Sequence, residues 1–195
     1  NNINILPWHP NLYWSERKLT SIDKIIIHQE LGEASIENVN QYHIKPNHIS
    51  KDGCPHFCYH YGIRKNGEIV QANELWHICW HTKGQNKSGI GIMLCGNFNG
   101  PGYNLGEDSP TKEQFVSLDK LSDYLKSAFG FNNQQLFGHY HFGKPACPGY
   151  ATEKWIESKR NNIEDISLIE EVQKTIPEIQ KRLKAIGFYN GKADG

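Results

Sequence analysis

The sequence predicts an α/β fold: a mixed central β-sheet flanked by helices, with a short helical segment at the C-terminal end. Three observations predict it. Strand-like and helix-like stretches alternate along the chain, the pattern of a layered α/β domain. Lys24-Ile-Ile-Ile-His28 is apolar until its polar last residue, as in a strand covered on both faces. Asn66-Gly67, the strongest short turn signal, separates two strand-like stretches and makes them a hairpin.

Residues 1–22 have no period, and LPWHPNLYW within them holds two Pro and two Trp. After the Ile-rich strand, Ser35 is placed to cap a helix with Ile36, Val39, Tyr42 and His43 on one stripe. KPNHISKDG reads as a loop, Phe57 to Ile63 as a strand, and Glu68 to Gln71 as its returning partner. Ser88 to Cys95 is another strand, followed by a glycine-rich loop. Thr111 and Gln114 make a capping box ahead of Phe115, Leu118, Leu121 and Leu125 at helical spacing, and Gly130 ends that helix. Gln135 to Phe137 is a short strand, and Glu153 to Arg160 a short helix.

The 195 residues allow one core domain of about 150 residues plus something small. The expected division is a main domain over 1–160, a linker over 161–175 and a further segment over 176–195. Lys+Arg and Asp+Glu are both 21, which argues against a nucleic-acid binder, since that needs a basic footprint. No run of 18 apolar residues exists to span a membrane, and no signal peptide is present. Ten His, five Trp and nine Tyr suit a sugar or peptide groove and equally suit an ordinary core. Five Cys cannot all pair, so at least one thiol is free, metal-bound or intermolecular.

Two candidate metal sites compete. CPHFCYH packs Cys54, His56, Cys58 and His60 into seven residues, and a fully extended chain would put all four on one face. The other set is dispersed. Catalytic zinc usually takes three protein ligands and leaves one position for water, and ligands are best held where strands end. His28 ends the Ile-rich strand, His139 follows a short strand, and Cys147 lies eight residues later before Pro148-Gly149. His28 by itself would read as a satisfied core histidine.

IIIHQE, YHYGIRKNGEIV, WHTKGQNKSGIGIMLCGNF and GHYHFGKPACPG occur in this order. Together they resemble the zinc-dependent N-acetylmuramoyl-L-alanine amidases, a class that includes amidase-type phage lysozymes and peptidoglycan recognition proteins. The resemblance covers about residues 22–157. It implies one Zn2+ held by His28, His139 and Cys147 in a surface groove, and hydrolysis of the amide between the lactyl group of muramic acid and L-alanine. It implies Tyr59 as the active-site tyrosine, with His81, Asn86 and Ser88 along the substrate groove. It makes CPHFCYH a decoy as a cluster, with Tyr59 facing the zinc and Cys58 and His60 turned away, into the layer between sheet and helices. The partner implied is peptidoglycan, met by a monomer at the cell wall; the alternative is a module that holds muropeptide without cutting it.

The sequence departs from the family pattern at several positions. Met93 stands where some members carry a Glu general base. Lys144 lies three residues before Cys147, one further than in the phage lysozymes, with Pro145 in the usual slot. His141 replaces an Asp. Glu30, two residues past His28, is a candidate base by strand geometry, in competition with a solvated loop role. Residues 176–195, IPEIQKRLKAIGFYNGKADG, resemble the opening of a peptidoglycan-binding module.

Overall fold

The structure is a computed structural model and describes residues 6–98 and 109–161. The expected linker beyond Asn161 and the module start at 176–195 lie outside the described residues. Five strands form one sheet: β1 (Lys24–Gln29), β2 (Tyr61–Ile63), β3 (Ile69–Gln71), β4 (Gly89–Leu94) and β5 (Leu136–Gly138). Their spatial order is β3-β2-β4-β1-β5. β1 runs parallel to β4 and β5, β2 runs parallel to β4, and the β2–β3 hairpin is antiparallel.

Both faces of this sheet are covered, which is why β1 and β4 lack a polar side. Ile25, Ile27, Ile90, Ile92 and Leu94 pack with Leu118, Leu121 and Leu125 of α2 (Lys112–Phe129) and Ile156 of α3 (Tyr150–Asn161). Met93 points the other way, into a cluster with Ile36 and Val39 of α1 (Ile36–Ile44), Phe57, Val70 and Leu6. Ser35 Oγ accepts the Asn38 N–H, and Thr111 with Gln114 closes the capping box at α2. Gly130 stops α2 at φ 73°, a left-handed C-cap that suits glycine.

Three local expectations change. The strand after α1 begins only at Tyr61, because Asn73 turns the preceding segment: its Nδ2 donates to the carbonyls of Phe57 (2.6 Å) and Tyr59 (2.7 Å). Cys54, His56, Cys58 and His60 therefore do not share a strand face. Tyr42 leaves the buried stripe of α1 and is 48% exposed, packed on His48. α3 starts at Tyr150, one turn earlier than its periodicity suggests. No helix among the described residues is long and apolar enough to cross a membrane.

Candidate metal centre and its cavity

Parallel register builds the centre. Ile27 pairs with Gly138 across β1 and β5, so the next residues, His28 and His139, emerge side by side at the C-terminal ends of neighbouring strands. Their rings lie 4.5 Å apart. Cys147 reaches the same point from the loop before α3, with its Sγ 3.9 Å from His28 Nδ1. One ligand atom each from His28, His139 and Cys147 falls within a 4.8 Å set. Tetrahedral zinc would hold a nitrogen and a sulfur about 3.6 Å apart. The donor set and its spacing therefore fit zinc, after only a small contraction.

The hydrogen bonds behind His28 select its tautomer. His81 Nε2 faces the Gly89 carbonyl at 3.3 Å and must carry a proton to bond it. His81 Nδ1 is then an acceptor, and it meets His28 Nε2 at 3.2 Å. His28 thus donates through Nε2 and turns the Nδ1 lone pair towards Cys147 and His139. Outer-shell partners commonly orient metal-binding histidines in this way. The Thr82 hydroxyl, 3.0 Å from His81 Nδ1 and 3.3 Å from His28 Nε2, completes the contact.

Two glycines make room for His81. A Cβ on Gly91 would lie 2.6 Å from His81 Cγ, and one on Gly89 would lie 3.1 Å from His81 Cε1. Glycine inside a strand often marks such a close approach, and GIG in SGIGIML carried that signal. Gln29 was the quieter residue. Its side chain accepts from Phe98 N (2.5 Å) and donates to the Ala146 carbonyl, while its own N–H points at Cys147 Sγ (3.4 Å). It clasps the loop that carries Cys147 to the end of β1, and nothing in the string IIIHQE distinguishes it from a solvated polar residue.

The electrostatics suit a cation. Burial holds His28 well below the usual histidine range, assisted by His81 and His139. Burial also lowers His139 to about 4, with the Lys144 charge adding to it. Both imidazoles are therefore neutral, the form in which they could act as ligands. The Cys147 thiol is pushed up to about 12 by burial, so metal binding must displace its proton.

Beside the centre opens a cavity of about 490 Å³, lined by Glu30, Asn38, Tyr42, Tyr59 and Met93 among others. The Tyr59 ring is 5.0 Å from the His28 ring, and burial raises its phenol above the usual range. The Glu30 carboxyl is raised by burial, against the opposing pull of backbone at Ala34, Gly32 and Gly96. Its Oε2 has no hydrogen-bond partner among the described residues. Lys144 is exposed, and its carbonyl accepts the Cys147 N–H at 2.9 Å.

The structure brings His28, His139, Cys147 and Tyr59 together and sets Glu30 on the wall of the same cavity. It puts His81 behind His28, 6% exposed. Asn86 and Ser88 are half-buried: Asn86 Oδ1 accepts from Thr82 N (2.7 Å) and Ser88 Oγ accepts from Lys24 Nζ (2.8 Å). His141 lies outside the centre, near Glu157. In CPHFCYH, His56 bonds Asn73 and the Leu6 carbonyl, and His60 bonds Arg17 and Gly91. Cys58 packs with Trp14, Cys54 and Cys79 under the N-terminal segment rather than between sheet and helices.

The N-acetylmuramoyl-L-alanine amidase family matches residues 18–150. The endolysin of Escherichia phage T7 is 26% identical over 137 residues, which is 70% of this chain and 87% of that protein. Among solved structures, N-acetylmuramoyl-L-alanine amidase LysC from Clostridium intestinale URNW superposes with a TM-score of 0.60 at 24% identity, covering 77% of this chain and 94% of that one. Drosophila peptidoglycan recognition protein SD superposes with a TM-score of 0.61 at 20% identity, covering 76% and 86%. The structural likenesses show a shared fold.

Proposed function

The chain belongs to the N-acetylmuramoyl-L-alanine amidase family and is an enzyme of that class, and from this premise we propose that it cuts peptidoglycan at the amide between N-acetylmuramic acid and L-alanine, with one zinc ion held by His28, His139 and Cys147. The observation that supports this most is the convergence of two neutral histidines and a cysteine at the edge of an open cavity. Zinc there would supply Lewis acidity, polarising a carbonyl and acidifying water.

The chain's own residues do the rest. Gln29 and His81 hold two of the ligands in place. Tyr59 keeps its phenolic proton because burial raises its pKa, so it donates to the oxyanion that develops on the scissile carbonyl. Lys144 adds positive charge at the same rim. Glu30 has a raised pKa and an unpartnered oxygen, and it takes a proton from water and passes it to the leaving amine. Asn86 and Ser88 keep the turn that follows His81 in shape along the groove. The biological role that fits is that of an endolysin or autolysin, acting as a monomer on the cell wall; the T7 relative is an endolysin.

Digestion of purified peptidoglycan followed by mass spectrometry tests this. The expected products are free N-terminal alanine and intact glycan strands. New reducing ends would replace the proposal with a glycosidase, and retention without cleavage would replace it with a recognition module. Cys147→Ser should lose both zinc and turnover; zinc content unchanged in that variant would remove Cys147 from the ligand set.

A further inference from the structure

The mechanism above leaves Cys54 and Cys58 unused, yet their sulfurs lie 3.2 Å apart. A bonded pair sits about 2.05 Å apart, so the gap to be closed is about 1.2 Å. The approach is held from one neighbour. His43, at the end of α1, accepts the Cys54 N–H on its carbonyl (2.8 Å) and the Cys58 N–H on its Nδ1 (3.1 Å). Both cysteines are buried, beside Trp14 and Cys79. Cys95 and Cys147 lie in other parts of the core and centre.

We propose that Cys54 and Cys58 are a reversible dithiol–disulfide couple, oxidised by exchange with a small-molecule disulfide, and that the bond closes a short loop that stiffens the segment leading to Tyr59, which His43 already holds at the end of α1. One thiolate attacks a sulfur of the oxidant and expels a first small thiolate. The second thiolate attacks the mixed disulfide and expels the other. The two thiol protons end on the two released small thiols; the protein loses two electrons and the oxidant gains them. Cys54 is the better first nucleophile, because the Cys58 thiol donates to its sulfur and lowers its pKa. Both sulfurs are covered, so exchange runs through brief openings of the segment. Such a pair stays reduced in a cytosol and oxidises outside it.

The test equilibrates the folded, full-length protein in buffers of oxidised and reduced glutathione, quenches with acid, alkylates and maps peptides by mass spectrometry. The expected result is a Cys54–Cys58 peptide lighter by two hydrogens, regained as two alkylated thiols after reduction. A bond closing so short a loop should raise Tm by about 5 °C over the reduced form, and Cys54→Ser should make Tm independent of the redox buffer. Five alkylatable thiols after full equilibration would overturn the proposal. So would a Cys58–Cys79 link, or thiols protected by a metal that a chelator removes. A disulfide that forms without moving Tm would overturn the stiffening. Zinc content at Cys147, read on the same samples, keeps this outcome separate from that of the amidase centre.

Discussion

At the scale of single residues, the centre depends on side chains that never touch a metal. Gln29 joins Phe98 N, the Ala146 carbonyl and the Cys147 sulfur at the end of β1. Gln29→Leu should weaken zinc binding at least about 10-fold, the usual cost of losing an orienting partner, measured by competition with a chromogenic chelator. It should also cost about 2 kcal/mol of stability from two broken buried hydrogen bonds. Gly91→Ala should weaken zinc similarly by driving the His81 ring off His28, since its Cβ would sit 2.6 Å from that ring. Equal zinc affinity in either variant would show that the ligands orient themselves. These residues differ in legibility. GIG carries a local signal that reading 88–95 simply as a strand leaves unused, whereas Gln29 gains its role only from loops far along the chain. His81 is expected along the substrate groove, and its buried position behind His28 is not legible, because burial depth has no sequence period.

At the scale of elements, the best-read parts are those whose signals are local. The capping box at Thr111, the Ile-rich β1 and the Asn66-Gly67 hairpin each depend on neighbours within a few residues, and each is found in place. The misread strand over 57–60 fails for the opposite reason: Asn73, more than a dozen residues away, captures its carbonyls. The candidate ligands His28 and His139 are legible through strand ends, because parallel register brings the ends of β1 and β5 together. Gln114 shows an element depending on both kinds of signal. Its Oε1 accepts from Thr111 N, while its Nε2 donates to the Ile63 (3.2 Å) and Cys95 (2.9 Å) carbonyls. It thereby ties the start of α2 to the ends of β2 and β4. Gln114→Ala should cost about 3 kcal/mol, more than the roughly 1 kcal/mol of a lost cap alone. Urea denaturation measures it, and a loss near 1 kcal/mol would mean the sheet carbonyls find other partners.

At the scale of the whole molecule, histidine burial sets the response to acid. Burial lowers His43 and His77 to about 4 and His81 to about 3, and it holds His28 and His60 far below the ordinary value. In the unfolded chain these groups take protons near pH 6.5. Below that pH the unfolded state binds more protons than the folded one, so stability falls as pH drops from 6.5 towards about 4. One buried histidine held near 4, such as His43, removes roughly 3 kcal/mol by pH 4. Two or three of them rival the whole stability of an ordinary domain. Glu74 works in the opposite sense. Burial raises its carboxyl to about 7, and its Oε2 has no hydrogen-bond partner among the described residues. It therefore erodes stability as pH rises from 4.5 to 7, but it is one group against several. Chelator-treated protein, free of any contribution from zinc, should lose its urea midpoint steeply between pH 6.5 and 4, while Glu74→Gln should raise the midpoint at pH 8 and leave it unchanged at pH 4. A midpoint flat from pH 8 to 4 would mean that the buried imidazoles open to water before they protonate, and the histidine-rich layer beneath the centre would then not be the acid-sensitive part of the fold.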